Sequence, residues 1–114
     1  MEPAIDEGVL RNLLDDMGND AEVVKELIQS FLEEGPKLLA EGRAACAQGN
    51  ALEVQRAYHT LKSTAATFGA MQLSSLSKEI EQAARNGTLP TPEAMAQADA
   101  HFEAARAQLV KRLG

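Results

Sequence analysis

Apolar residues recur along the chain at intervals of three and four, and no segment alternates apolar with polar residues for any length. The residue mix is rich in Ala, Leu, Glu, Gln, Arg and Lys, which favour helices, and poor in the β-branched and aromatic residues that favour strands. Because an amphipathic helix repeats every 3.6 residues, this pattern predicts an all-α protein.

Turn and capping residues divide the chain into five predicted helices. Gly or Asn ends most of them, and Asp, Asn or Thr begins the next, in keeping with the preferences of these positions. The predicted helices run from about Asp6 to Asp16, from Ala21 to about Gln48, from Ala51 to Phe68, from about Ala70 to Asn86, and from Pro92 to the C-terminus. Pro36 is expected to kink the second helix or to split it in two, because proline lacks a backbone N–H.

The connections between most of these helices are short, which favours antiparallel neighbours. The third helix carries a regular apolar seam of Val54, Tyr58, Leu61, Ala65 and Phe68, as helices of a bundle do. We therefore predict an up-and-down antiparallel four-helix bundle with an additional short N-terminal helix. A chain of 114 residues suffices for one core, so residues 1–114 are expected to form a single domain.

Charge and cysteine content narrow the classes of function. Seventeen Asp and Glu against eleven Lys and Arg give a net charge of −6, which argues against a nucleic-acid binder or a protein that contacts acidic membranes. The single cysteine, Cys46, excludes an internal disulfide and favours a reducing compartment. With an acidic start at Met1-Glu2-Pro3 and no apolar stretch of about 20 residues, a cytoplasmic protein without membrane contact is expected.

One face of the third helix, opposite its apolar seam, is unusual for its side chains. On a helical wheel, four residues lie within about 60° of His59: Gln55, Lys62, Ser63 and Ala66. Arg56 borders the same face. The imidazole therefore faces solvent beside two cations, and the small neighbours let another protein approach the ring. A neutral imidazole has a free lone pair that can act as a nucleophile or accept a proton.

Plainer interpretations stand beside this one. A single histidine on a helix is most often a solvated side chain, and Lys62 and Gln55 would then be ordinary surface residues. His101 adjoins the seam residue Phe102 and is expected to be a partly buried packing residue. The two histidines have no metal-binding spacing, and the chain lacks a glycine-rich phosphate loop and a nucleophile elbow. We therefore expect no metal site, no cofactor and no ATP site in this chain.

The segment from Ala57 to Ala70, AYHTLKSTAATFGA, resembles the signature of the histidine phosphotransfer (HPt) domains of bacterial phosphorelays, A-H-x-L-K-G followed by G-A. The stretch from Leu73 to Gly87 is similar to the next helix of that family, and so are the acidic start and the Phe-Leu-Glu-Glu of the second helix. The resemblance covers nearly the whole chain. It departs from the family pattern at Ser63, where glycine is usual.

The resemblance implies a phosphoryl carrier rather than an enzyme. His59 would accept a phosphoryl group from the aspartate of a response-regulator receiver domain and pass it to another receiver, and Lys62 would neutralise phosphate charge. The residues expected to contact the partner are Gln55, Arg56, Ser63 and Ala66. The receiver, whether separate or part of a hybrid sensor histidine kinase, would bring its own Mg²⁺. A monomer suits a carrier that presents one face to several partners.

Two alternatives stay open at this point. The chain is also compatible with the phospho-accepting domain of a chemotaxis-type histidine kinase, which a separate kinase domain phosphorylates from ATP. The other alternative is a helical adaptor without phosphoryl chemistry, for which His59→Gln would leave partner binding and signalling unchanged. The phosphoryl donor distinguishes the first interpretation from the second.

Overall fold

The computed structural model describes residues 3–113, which contain five α-helices and no strand. The helices are α1 (Glu7–Asp16), α2 (Ala21–Ala47), α3 (Ala51–Thr67), α4 (Met71–Arg85) and α5 (Pro92–Val110). The all-α prediction is confirmed. Within residues 3–113, no helix combines the length and the apolar character needed to cross a bilayer.

Helices α2 to α5 form the bundle. Each packs against the next along the chain, and α5 closes the ring against α2; the most extensive contact is between α3 and α4. The connections span only residues 48–50, 68–70 and 86–91, so successive helices run antiparallel. Helix α1 packs across α2 and α3. This is the predicted bundle with its additional N-terminal helix.

The residues predicted to cap helices do so. The side chains of Asp20, Asn50 and Thr91 each accept backbone N–H groups at the start of α2, α3 and α5, and Asp6 does the same for α1. These bonds satisfy donors that would otherwise lack intrahelical partners. Local sequence therefore defines where these four helices begin.

The second helix is continuous, so the alternative that Pro36 splits it in two is wrong. Proline removes one backbone hydrogen bond, but Phe31 and Leu39 on either side are buried in the core and hold both halves in line. Gly35 lies against α5 so closely that a Cβ there would stand 2.2 Å from the ring of Phe102. Where Pro36 removes a backbone hydrogen bond from α2, the helix therefore packs tightly against α5.

The last helix is shorter than predicted. It ends at Val110 instead of continuing to the C-terminus, and residues 111–113 form a turn in which Arg112 N–H donates to Leu109 C=O at 2.9 Å. Leu109 is the last fully buried residue of this helix, so the residues after it gain little from packing. Gly114 at the predicted helix end, and Met1 and Glu2 of the acidic start, lie outside the described residues.

The core determines how α3 is oriented. Its predicted seam residues are all buried: Val54, Tyr58, Leu61, Ala65 and Phe68. The ring of Phe68 stacks on Phe31 with centroids 5.0 Å apart, and Phe31 meets Phe102 edge to face at 5.5 Å. Because this side of α3 is committed to the core, the opposite side, which carries His59, faces outward.

The turn between α3 and α4 is held by the N-terminal segment. Gly69 has a φ of +79°, a conformation that favours glycine, and its carbonyl accepts the N–H of Asp6 at 2.8 Å. A Cβ at this position would stand 2.7 Å from the carbonyl oxygen of Asp6. Glycine is therefore required here, and the turn fixes how α3 and α4 lie against each other.

Candidate functional site

The polar face predicted for α3 is present in the structure. The His59 side chain is 58% exposed. Arg56 and Ser63 are exposed beside it, while Gln55 and Ala66 are half-buried. The helical wheel thus identified the right face, and the small residues leave the ring open to a second protein.

A buried carboxylate lies directly beneath this face. Glu81, on α4, has a side chain only 2% exposed, and its Oε2 is hydrogen-bonded to Nδ1 of His59. The other oxygen, Oε1, accepts a hydrogen bond from Nζ of Lys62 at 2.6 Å. Arg85, one turn further along α4, brings its guanidinium to 3.5 Å from Oε2. We call these four residues, His59, Lys62, Glu81 and Arg85, the Glu81 cluster.

Opposing influences act on the pKa of Glu81. Burial by itself raises the pKa of the carboxyl group, but hydrogen bonds and charge from Lys62 and His59 together outweigh burial, so the pKa lies below its ordinary value of 4.5. The carboxyl group is therefore ionised at neutral pH.

The state of Glu81 fixes the tautomer of the neutral histidine. An ionised carboxylate only accepts hydrogen bonds, so the Nδ1 of His59 that it contacts must carry the proton. The lone pair is then on Nε2, the other nitrogen of a mostly exposed ring. The arrangement offers a nucleophilic nitrogen to solvent and holds the rest of the ring in place.

Small polar residues of α4 bring the two helices together at the cluster. Ser74 and Ser77 of α4 are both buried, and the Oγ of Ser74 donates to the backbone carbonyl of Lys62 on α3 at 2.9 Å. This bond anchors the backbone at the lysine of the cluster. The site is therefore built on two rigid helices rather than on loops.

Glu81 and Arg85 are the two members of the cluster that the sequence pattern did not single out. The acidic residues looked scattered along the chain, although His59 and Glu81 lie at nearly equal distances on either side of the turn at residues 68–70. In an antiparallel pair of helices, such residues come level with each other. The sequence does contain one signal for this position: Glu81 directly follows Ile80, a residue of the apolar seam of α4.

Lys62 is also more enclosed than a surface lysine, with 28% of its side chain exposed. Among the described residues, the hydrogen bonds of the Glu81 cluster do not reach Gln55 or Ser63. His101 is half-buried on α5, as predicted for a packing residue. Within residues 3–113, no group of three or more His, Cys, Asp or Glu side chains is placed to hold a metal ion.

The sequence profile of the Hpt domain family matches residues 26–110, which include the whole Glu81 cluster. The chain belongs to the Hpt domain family. Its structure is similar to the crystal structure of histidine-containing phosphotransfer protein B (HptB) from Pseudomonas aeruginosa PAO1, with a TM-score of 0.89 and 25% sequence identity. The similarity covers 99% of this chain and 96% of that one. No curated protein shows significant sequence similarity to it.

Membership of this family, together with the fold, identifies the chain as a histidine phosphotransfer carrier. The recognition made from the motif around residues 57–70 and the all-helical prediction are both confirmed.

Proposed function

We propose that His59 is the residue that carries the phosphoryl group. The observation that supports this most strongly is the contrast between its two ring nitrogens, because Nδ1 is held by the buried Glu81 while the ring is mostly exposed to solvent. The other histidine, His101, is half-buried on α5 and outside the cluster. Only His59 combines exposure with an anchored ring.

The proposed reaction is phosphoryl exchange with aspartates of receiver domains. The Nε2 lone pair of His59 attacks the phosphorus of an aspartyl phosphate, an N–P bond forms, and the P–O bond to the aspartate breaks. The second transfer is the same step in reverse, onto another aspartate. Lys62 and Arg85 supply positive charge next to the phosphoryl group, so this chain contributes mainly positioning and charge stabilisation.

The proposed partners are response-regulator receiver domains, whether separate or part of a hybrid sensor histidine kinase. The docking face consists of Gln55, Arg56, Ser63 and Ala66 around His59. It continues into a groove between α2 and α3 lined by Leu27, Leu38, Thr60, Thr64 and Thr67 among others. We expect the receiver to bring the Mg²⁺, so that this chain needs no cofactor and no ATP site of its own, and we expect it to act as a cytoplasmic monomer.

The test is transfer from a purified, ³²P-labelled receiver domain to the wild type, to His59→Gln and to the matched control His101→Gln. We expect acid-labile label on the wild type and on His101→Gln, and none on folded His59→Gln. Label on folded His59→Gln would refute the assignment.

An ATP-charged histidine kinase catalytic domain serves as a second donor in the same experiment. Labelling by the receiver and not by the kinase domain supports the relay, and the reverse favours the chemotaxis-type alternative. If neither donor labels the folded protein, the adaptor alternative replaces the proposal.

A further inference from the structure

We propose that Ser63 binds the transferred phosphoryl group: its hydroxyl donates a hydrogen bond to a phosphoryl oxygen while the group is on Nε2 of His59. The inference rests on the proposed function, because it takes His59 as the acceptor. It concerns the position of the motif at which this chain has serine where glycine is usual. Glycine has no side chain that could make this bond.

Ser63 lies one helical turn after His59 on α3, and both side chains are exposed. Residues four apart on a helix are neighbours, with Cβ atoms about 5–6 Å from each other. Because the Cα–Cβ bonds of a helix tilt towards its N-terminus, the hydroxyl of Ser63 projects towards the turn that carries His59. A phosphoryl group on the exposed ring therefore comes within reach of this hydroxyl.

The hydroxyl of Ser63 is also available, unlike those of the threonines on the same helix. Thr60, Thr64 and Thr67 each donate their hydroxyl to the backbone carbonyl four residues earlier, at 3.2, 2.8 and 3.1 Å. The carbonyl that Thr67 uses is that of Ser63 itself. Of the serine and threonine hydroxyls of α3, only that of Ser63 has no hydrogen-bond partner within the described part of the chain.

The cations beside the ring, by contrast, are already bound to carboxylates. Nζ of Lys62 donates to Glu81 at 2.6 Å, and the guanidinium of Arg56 donates to Glu53 at 2.7 Å. A phosphoryl group brings three strong acceptor oxygens to this face. The cations must share their charge between these oxygens and a carboxylate, whereas Ser63 gives up no hydrogen bond to the protein when it donates to the phosphoryl group.

The proposed bond changes the equilibrium of phosphoryl exchange, because it exists only while His59 carries the group. It lowers the free energy of the phosphorylated carrier and leaves the unphosphorylated carrier unchanged. The equilibrium constant compares the separated proteins before and after transfer, so contacts made only in their complex cancel. Loss of the Ser63 hydroxyl is therefore expected to shift the phosphoryl group towards the aspartate of the receiver.

The experiment measures this equilibrium constant for the wild type and for Ser63→Ala. A ³²P-labelled receiver domain that dephosphorylates slowly is mixed with each carrier, and the label on both proteins is quantified once its ratio is constant. Starting from labelled carrier must give the same ratio. We expect the constant for phosphorylation of the carrier to fall by about two- to ten-fold in Ser63→Ala, as for the loss of one hydrogen bond. A constant equal to that of the wild type, or above it, would overturn the proposal.

Two further variants separate the hydroxyl from other effects of the substitution. Ser63→Gly also lacks the hydroxyl, so we expect the same fall as in Ser63→Ala. A fall in Ser63→Gly alone would assign the effect to the weaker helix that glycine makes, and the proposal would be wrong. Ser75→Ala removes an exposed serine of α4 outside the docking face and is expected to keep the wild-type constant. An equal fall in that control would also count against the proposal.

The rates of transfer in the same experiment distinguish the hydrogen bond from docking. A substitution that affects only the complex changes the forward and reverse rates by the same factor. Slower transfer by Ser63→Ala with an unchanged equilibrium constant would thus assign Ser63 to docking alone and contradict the proposed bond. Failure of the proposed function gives a different result, in which the wild type takes up no label or folded His59→Gln does take it up.

Discussion

Two carboxylates of the bundle accept hydrogen bonds from cations on neighbouring helices, and their surroundings differ sharply. Asp99 on α5 accepts both of its bonds from Nη1 of Arg43 on α2, at 2.7 and 2.9 Å, and its side chain is 42% exposed. Glu81 binds Lys62 and His59 on α3 with a side chain that is 2% exposed. Of these two carboxylate–cation contacts, one is therefore solvent-exposed and the other is buried.

This difference in burial distinguishes the Asp99–Arg43 pair, a surface contact, from Glu81, a part of the candidate site. An exposed ion pair contributes at most about 1 kcal/mol, because water already solvates both charges. A buried carboxylate costs free energy to desolvate, and an apolar residue would often serve stability equally well. The bundle obtains its core from apolar side chains such as Phe31, Phe68 and Phe102. The burial of Glu81 beneath an exposed histidine is therefore better explained by chemistry than by stability.

The largest effect is expected when Glu81 loses its lysine. Lys62→Met keeps an unbranched apolar stem but removes the ammonium group that lies 2.6 Å from the carboxylate. We expect the free energy of unfolding to fall by about 1–3 kcal/mol, because a buried anion loses a hydrogen bond. Transfer from a receiver is expected to slow by about ten-fold or more.

Urea denaturation and timed transfer from a labelled receiver measure the two effects. Lys78→Met, which removes an exposed lysine from α4, is the matched control and should change neither. Undiminished transfer by folded Lys62→Met would contradict the role given to the lysine.

The second prediction concerns pH. Since the pKa of Glu81 in the folded protein is below its ordinary value of 4.5, the native state holds fewer protons there than the unfolded chain as the solution is acidified. The stability that this group contributes is complete above about pH 4.5 and is lost as pH falls through the lower, folded value. Wild type should therefore lose stability relative to Glu81→Gln on acidification below about pH 4.5.

Thermal or urea unfolding of both proteins at matched pH values, from about pH 3 to about pH 7, provides the comparison. A difference in stability that does not change over this range would show that the carboxyl group has no lowered pKa in the folded protein.

The exposed pair should respond weakly. Asp99→Asn breaks the charge interaction with Arg43 and is expected to cost about 1 kcal/mol or less, with transfer unchanged. The experiments are urea denaturation and receiver transfer, as for Lys62→Met. Slower transfer in Asp99→Asn would mean that the two carboxylates do not differ in kind.

The smallest effect is expected at Tyr58, whose ring is buried near the exposed pair. Burial, and secondly the charge of Asp99, raise the pKa of Tyr58 to about 12. Its hydroxyl has no hydrogen-bond partner within the described part of the chain. Tyr58→Phe removes an unpaired polar group, so we expect the free energy of unfolding to stay within about 1 kcal/mol of wild type, on the more stable side. A loss of several kcal/mol in urea denaturation would reveal a partner for the hydroxyl.

Much of the fold was predictable because it rests on local signals. Asp20, Asn50 and Thr91 cap the helices that they were predicted to cap, and the seam of α3 is buried as its spacing required. The outward face with His59 followed from that seam. The local effect of Pro36 predicts a kink or a break in α2, whereas the packing that keeps α2 continuous comes from other helices.

The buried part of the site, Glu81 beneath His59, was not predicted, because it too depends on packing between helices. Glu81 reaches His59 because α3 and α4 pack closely, with Ser74 on α4 donating to the backbone carbonyl of Lys62 on α3. Hydropathy alone assigns a small polar residue such as serine to no particular side of a helix. The distinction between Lys62 as a free surface cation and Lys62 as a partner of Glu81 likewise depends on that packing. Contacts between α3 and α4 complete the site, and the motif around His59 shows only the residues that α3 contributes.

The most direct test of the account is to locate the phosphoryl group itself. Wild-type protein labelled with ¹⁵N-histidine is phosphorylated by a receiver domain, and long-range ¹H–¹⁵N spectra then identify the modified nitrogen. The account predicts phosphorylation at Nε2 of His59, the nitrogen that Glu81 leaves free. A phosphoryl group on Nδ1 of His59, or on His101, would contradict it.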